Sequence, residues 1–216
     1  MLAADPVFAA PEGRFPAALR RLDPALDCWC RPPASALQPL LRHYAAEERP
    51  ADGLLGGAVL SGRDGLPKDL LPAVPKRLAP WRGALMRDLA RALAFYREHA
   101  LDLAEVRVRL EIERRDRCRL FHTDRIGLRL LSTYLGPGTE WVPEIALDRA
   151  ALGSGDNSKI APRPEEVRHL HPFWVGLFKG DLHPDCRGRG SVHRSPPIER
   201  RRGVRILLTI DDPWQD

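Results

Sequence analysis

The sequence has no long apolar run: nothing in it approaches the roughly 20 consecutive apolar residues that span a bilayer, so a membrane-embedded helical protein is not expected. Residues Met1 to Pro16 lack the basic start and apolar stretch of a secretory signal, which predicts a cytoplasmic location. Cysteine is scarce. Cys28, Cys30, Cys118 and Cys186 are too few and too scattered for a disulfide framework and are expected to be free thiols in a reducing compartment. Lysine occurs only at Lys68, Lys76, Lys159 and Lys179, so arginine carries the positive charge. With abundant Ala, Pro and Gly, this bias reads as the composition of a GC-rich bacterial genome. The net charge is a modest +5, and basic residues are interleaved with acidic ones, as in Arg107, Arg109, Glu111 and Glu113. That pattern reads as a solvated strand face. No dedicated basic stripe is present, so nucleic acid is not an expected partner.

What is there is an ordinary globular composition, 44% hydrophobic and 29% charged over 216 residues, enough for one domain with a sizeable core. Residues 1–80 are rich in Pro, Gly and Ala and carry one helical stretch, from Ser35 to Glu48; they are expected to form a cap or extension packed on the core. Residues 81–216 are expected to form a helix plus a β domain. Leu85, Leu89, Leu93 and Tyr96 fall at helical spacing between Trp81 and His99, so this helix should lay one face on a sheet. After Leu103 the period changes to two, with Val106, Val108, Leu110 and Ile112 alternating with charged residues. Further strands are expected at Arg119 to Asp124, Leu128 to Leu135, Trp141 to Ile145, Trp174 to Lys179, Ser191 to His193 and Val204 to Ile210. Short strands after a helical section predict an α+β fold in which an antiparallel barrel or jelly roll is supported by helices on one side.

The chemistry concentrates between Cys118 and Pro143. Residues two apart on a strand point the same way, so His122 and Asp124 can converge while Thr123 faces away. Two ligands hold a metal weakly, and His193 is the best third candidate. Two histidines and a carboxylate on one face of an octahedron leave three open positions, the arrangement suited to non-haem Fe(II) that activates oxygen.

With these residues in view, the region of about 104–212 resembles the Fe(II)/2-oxoglutarate-dependent dioxygenase superfamily, whose core is a double-stranded β-helix (a jelly-roll or cupin-like barrel). It also resembles an uncharacterised bacterial family of unknown function in the blocks FHTD, TYLGPGTEW, FKG and HRSPP. The superfamily resemblance implies a metal triad at His122, Asp124 and His193. It further implies a co-substrate arginine at Arg205, where a bidentate pair could grip the distal carboxylate of 2-oxoglutarate. Arg202 is the alternative arginine, and Thr133 or Tyr134 could add a hydroxyl to the same co-substrate.

The other polar residues are expected to play lesser parts. His183 reads as a loop histidine or substitute ligand, and His169 and His171 as a solvated pair. Cys28 and Cys30 read as ordinary thiols, and Cys118 as a small buried hydrophobe. Lys179-Gly180 lacks the preceding glycine of a phosphate loop. The implied activity is oxygenation, by hydroxylation or demethylation of an unknown substrate, with Fe(II), 2-oxoglutarate and molecular oxygen. The alternatives are a non-catalytic or metal-homeostasis barrel holding zinc or iron, the zinc form closed by extra N or S ligands, and an interaction domain using the basic surface.

Overall fold

The computed structural model describes residues 13–14, 23–31, 37–48, 52–62, 64–72, 79–100, 104–199 and 203–212. Helix α1 spans Leu37–His43 and runs on into a π-helical turn at Tyr44–Glu48; α2 spans Ala79–Arg97; and α3 is the single turn Asn157–Ile160. The strands are β1 (Gly13–Arg14), β2 (Leu26–Cys30), β3 (Gly53–Ser61), β4 (Glu105–Glu113), β5 (Leu128–Leu135), β6 (Glu140–Trp141), β7 (Arg168–His169), β8 (Val175–Lys179), β9 (His193–Arg194) and β10 (Arg205–Asp211). Seven of them form a sheet in the order β1-β2-β8-β5-β10-β4-β3, and three form a second sheet in the order β7-β6-β9. Every pairing is antiparallel, and with few helices the architecture is α+β.

The period of two divides the larger sheet into two faces with different content. Val106, Val108, Leu110 and Ile112 of β4, Leu130 and Tyr134 of β5, and Ile206, Leu208 and Ile210 of β10 pack with Leu85, Leu89, Leu93 and Tyr96 of α2 in the main core. The helix therefore covers the sheet as its spacing predicts. On the other face, Leu131 and Leu207 join Leu26, Cys28, Cys30 and Phe178 of the larger sheet and Trp141 of the smaller one in a second cluster. The smaller sheet thus lies against this second face, and the candidate site sits between them.

Several local expectations are corrected. Arg119 to Asp124 does not form a strand: only His122 pairs, through two 3.0 Å backbone bonds with His193. Side chains take the bonds a ladder would have used, since Asn157 Oδ1 accepts from Phe121 N at 2.8 Å and Asp181 Oδ2 accepts from Thr123 Oγ1 at 2.6 Å. The strand expected from Trp141 to Ile145 stops at Trp141, and a 3₁₀ turn follows Pro143, which has no N–H to offer a ladder. Residues before 80 also supply β2 and β3 to the larger sheet, strands that glycines and prolines hide in the sequence. The face of Arg109, Glu111 and Glu113, read as solvated, lines the cavity between the sheets, and Glu113 is buried.

A candidate metal centre

The pair of backbone bonds between His122 and His193 brings two histidines 71 positions apart into register, with ring centroids 4.8 Å apart. Asp124, two residues on, turns its carboxylate toward both: Oδ2 is 3.3 Å from His193 Nε2, and Oδ1 is 3.6 Å from His122 Nε2. One ligand atom from each of the three residues lies within 4.8 Å of the others, the one such group of His, Cys, Asp or Glu among the described residues.

Second partners fix the donors. His122 Nδ1 is 2.8 Å from the Leu120 carbonyl, and His193 Nδ1 is 3.1 Å from the Ser191 carbonyl. A carbonyl only accepts, so each Nδ1 carries a hydrogen and, when the ring is neutral, each Nε2 directs a lone pair at Asp124. Two lone pairs facing a carboxylate repel unless a cation or a proton lies among them. Asp124 Oδ1 is held by Arg129 Nη1 at 2.8 Å, while the buried Oδ2 has no hydrogen-bond partner. That orphaned oxygen between two imidazole nitrogens fits a metal ion. Burial alone would raise the Asp124 carboxyl, yet with protons on the imidazoles in place of a cation, the His193 charge, hydrogen bonds from both rings and the Arg129 charge hold it well below the usual carboxylate range. For His122, burial disfavours the charged form, but the Asp124 contact outweighs it and raises its pKa.

The two histidines open on a cavity of about 220 Å³ that they share with Arg205, Leu131, Leu207 and Thr139, among others. Arg205 is buried, its Nη2 donating to Thr139 Oγ1 at 2.6 Å and Thr133 Oγ1 at 3.3 Å, and its Nη1 to Glu113 Oε2 at 3.2 Å. Its Nε has no partner. Burial lowers the Arg205 pKa despite the Glu113 charge beside it.

His122, Asp124 and His193 are thus brought together, and Arg205 lines the cavity beside the two histidines with Thr133 hydrogen-bonded to its guanidinium. Tyr134 is not brought there: it is on the opposite face of β5, where its hydroxyl donates to Asp88 of α2. Arg202 lies outside the described residues. His183 is buried elsewhere, its Nδ1 accepting from Asp185 N at 3.2 Å. The His169 and His171 rings lie tilted with centroids 5.7 Å apart, His171 also against Trp174, and no third ligand clusters with them among the described residues. Cys28 and Cys30 are free thiols in the second core cluster, whereas Cys118, expected to be buried, is exposed and lines the cavity.

Sequence reasoning missed Arg129, Glu113, Thr139 and Ser195. Arg129 and Glu113 share the period-two face with Thr133 and Arg205, which is the signal that could have found them. Gly180 has a structural part instead of a phosphate-binding one: a Cβ there would lie 2.2 Å from Ile126 O and 2.7 Å from Asp124 O, so glycine lets the end of β8 touch the loop that carries the metal ligand.

Fold and site together define an α+β protein with a candidate His-Asp-His metal site between two antiparallel sheets. The model of the family described as Protein of unknown function (DUF1826) matches residues 17–211, and the chain belongs to that family. No curated protein matches the sequence. Among solved structures, a Pseudomonas putida prolyl-4-hydroxylase is similar at 11% identity and TM-score 0.41, over 96% of this chain and 98% of that one. The dioxygenase for auxin oxidation 1 from Arabidopsis thaliana, in complex with 2-oxoglutarate, is similar at 12% identity and TM-score 0.35, over 68% and 56%. The Fe(II)/α-ketoglutarate-dependent dioxygenase TqaL is similar at 12% identity and TM-score 0.37, over 75% and 63%. Likenesses this loose assign no role to any residue of this chain.

Proposed function

We propose that this chain is an Fe(II)- and 2-oxoglutarate-dependent oxygenase that hydroxylates or demethylates a substrate. The observation that carries the reading is one cavity lined by His122 and His193, whose Nε2 atoms meet an unpartnered Asp124 Oδ2, and by a buried Arg205 with an unpartnered Nε. In this reading His122 and His193 give neutral nitrogen, and Asp124 gives one negative charge through Oδ2 because Arg129 occupies Oδ1. Arg205, steadied by Thr133 and Thr139, receives the distal carboxylate of the co-substrate. Leu131 and Leu207 are the apolar part of an otherwise polar lining and offer a substrate carbon chain its apolar contact. When bound, Fe(II) supplies the reduction of molecular oxygen that couples decarboxylation of 2-oxoglutarate to oxidation of the substrate. Residues 81–216 act as the metal-binding unit, with β2 and β3 of the preceding segment completing its larger sheet, and the protein works in the cytoplasm.

A second reading, a zinc- or iron-binding protein without turnover, is favoured by one observation: Arg205 already faces the carboxylate of Glu113. Anaerobic protein given Fe(II) and 2-oxoglutarate separates the two readings. The oxygenase develops the weak visible charge-transfer band of a chelated 2-oxo acid and releases succinate in air. Tightly held zinc with no band establishes the second reading.

A further inference from the structure

Arg205 of β10 stands directly opposite Glu113 of β4 in the strand register, and the two side chains are 1% and 6% exposed. Nη1 donates to Glu113 Oε2 at 3.2 Å and to Ser195 Oγ at 3.4 Å, while Nη2 is taken by Thr133 and Thr139. One positive charge is therefore already matched by one negative charge in a space that water scarcely reaches. Bringing a second carboxylate to this guanidinium leaves two negative charges on one positive charge, and like charges sharing a buried site force one of them to take up a proton.

The other charged groups around Glu113 do not relieve this conflict. Glu111 on the same strand adds negative charge. Arg117 holds its Nε 4.0 Å from Glu113 Oε1, but its side chain is 44% exposed and it also pairs with Glu111 at 3.4 Å, so solvent screens it. Arg109 and Arg129 in the same lining are committed to Asp211 and Asp124, and Arg194 to Glu140, while Cys118, His122 and His193 are its other titratable groups.

We propose that Glu113 is a built-in competitor for Arg205: a 2-oxo acid with a distal carboxylate gains the guanidinium only as Glu113 takes up a proton from solvent, so co-substrate binding is proton-coupled and Glu113 sets which acids the cavity accepts. This rests on the reading of the site as 2-oxoglutarate-dependent. The acid enters as a dianion and one proton enters with it; the bond formed is the O–H on the Glu113 carboxyl, whose carbonyl oxygen still accepts from Arg205. Burial already pushes Glu113 above its ordinary range, with Arg205 opposing, so the added carboxylate completes a shift that the fold has begun. A 2-oxo acid without a distal carboxylate brings no second charge and needs no proton.

The test is calorimetric titration of metal-saturated, anaerobic protein with 2-oxoglutarate between about pH 6 and 8, in buffers of different ionisation heat, using wild type and Glu113→Gln. Wild type takes up as much as one proton per co-substrate, and its affinity falls by up to about tenfold per pH unit as pH rises between the Glu113 pKa values of the free and bound states. Glu113→Gln takes up none, binds more tightly at pH 8 and has a flat pH profile. Equal affinities and equal pH slopes in the two proteins overturn the proposal. So does zero proton uptake by wild type, a measurement that does not depend on the variant folding. If both proteins bind metal and neither binds 2-oxoglutarate at any pH, the oxygenase reading itself fails and takes this proposal with it.

Discussion

Asp88→Ala measures how separable the two faces of β5 are. The Asp88 carboxylate takes Arg31 Nη1 at 2.6 Å and Nη2 at 2.9 Å and accepts the Tyr134 hydroxyl, all within the interface between α2 and the larger sheet. Arg31, which also donates from Nε to Phe173 O at 2.5 Å, has a side chain only 8% exposed. Removing the carboxylate leaves a buried guanidinium without its counter-charge, at a cost of about 3–5 kcal/mol. The stranded Tyr134 hydroxyl adds about 1–3 kcal/mol. The two costs come from one carboxylate and overlap, so a loss of about 4 kcal/mol is expected, lowering Tm by roughly 8–16 °C for a chain of this size. The paired change Arg31→Met with Asp88→Leu buries no charge and recovers most of the loss. Urea unfolding and thermal melting measure these differences, and a metal titration run beside them should change by less than about threefold because the triad lies beyond the sheet. A loss below about 1 kcal/mol for Asp88→Ala, or a loss of metal affinity at unchanged stability, refutes the reasoning.

Four further outcomes follow from the site. His122→Ala and Asp124→Ala each lose the metal in a dialysis assay. Glu113→Gln combined with Arg205→Ala keeps the metal but binds 2-oxoglutarate at least about tenfold more weakly than Glu113→Gln alone, since a charge-assisted pair contributes about 1.5–3 kcal/mol; equal binding would move the co-substrate contact to another arginine. The melting-temperature gap between metal-loaded and metal-free protein widens as pH rises from about 5.5 to 8. The metal-free contribution of His122, whose folded pKa is raised, is present below its unfolded value and lost as pH rises through the folded one, while the metal needs both imidazoles neutral; a constant or narrowing gap counts against imidazole ligation. Gly180→Ala drives a methyl against the Ile126 and Asp124 carbonyls, costing about 1–3 kcal/mol and weakening metal binding; unaltered stability in a urea titration would show that the loop yields freely.

What could be read from the sequence was what depends on local periodicity. Leu85, Leu89, Leu93 and Tyr96 announced α2, and alternation bounded β4 and β10 to within a residue or two. The triad could be assembled because His122 and Asp124 are neighbours and His193 stood out among few histidines. Tyr134 was misplaced by the same alternation that located Thr133, since adjacent strand residues face opposite ways and only one of them can reach the cavity. The charged face of β4 misled for a different reason: alternating arginine and glutamate is identical in sequence whether water or a second sheet covers it. Cys118 was misjudged because the segment after β4 leaves the ladder and exposes this residue along the cavity.

The depth of charge on the site face has a structural logic. Asp211 on β10 lies opposite Arg107 of β4 and Arg129 of β5, and its Oδ2 accepts from Arg109 Nη2 at 2.9 Å and from Arg129 Nε at 3.1 Å. Arg129 then reaches Asp124, so charges alternate from Arg109 through Asp211 and Arg129 to the candidate ligand. An ionised Asp124 can be buried because this row compensates it, and the row approaches from one side, taking Oδ1 and leaving Oδ2 for the imidazoles. The arrangement depends on register. A one-residue slip of β10 would turn Arg205 and Asp211 toward α2 and put Ile206 and Ile210 in the cavity, undoing the co-substrate contact and the support of Asp124 together. The apolar grip of α2 on Ile206, Leu208 and Ile210, far from any metal, is therefore what holds the polar face in position.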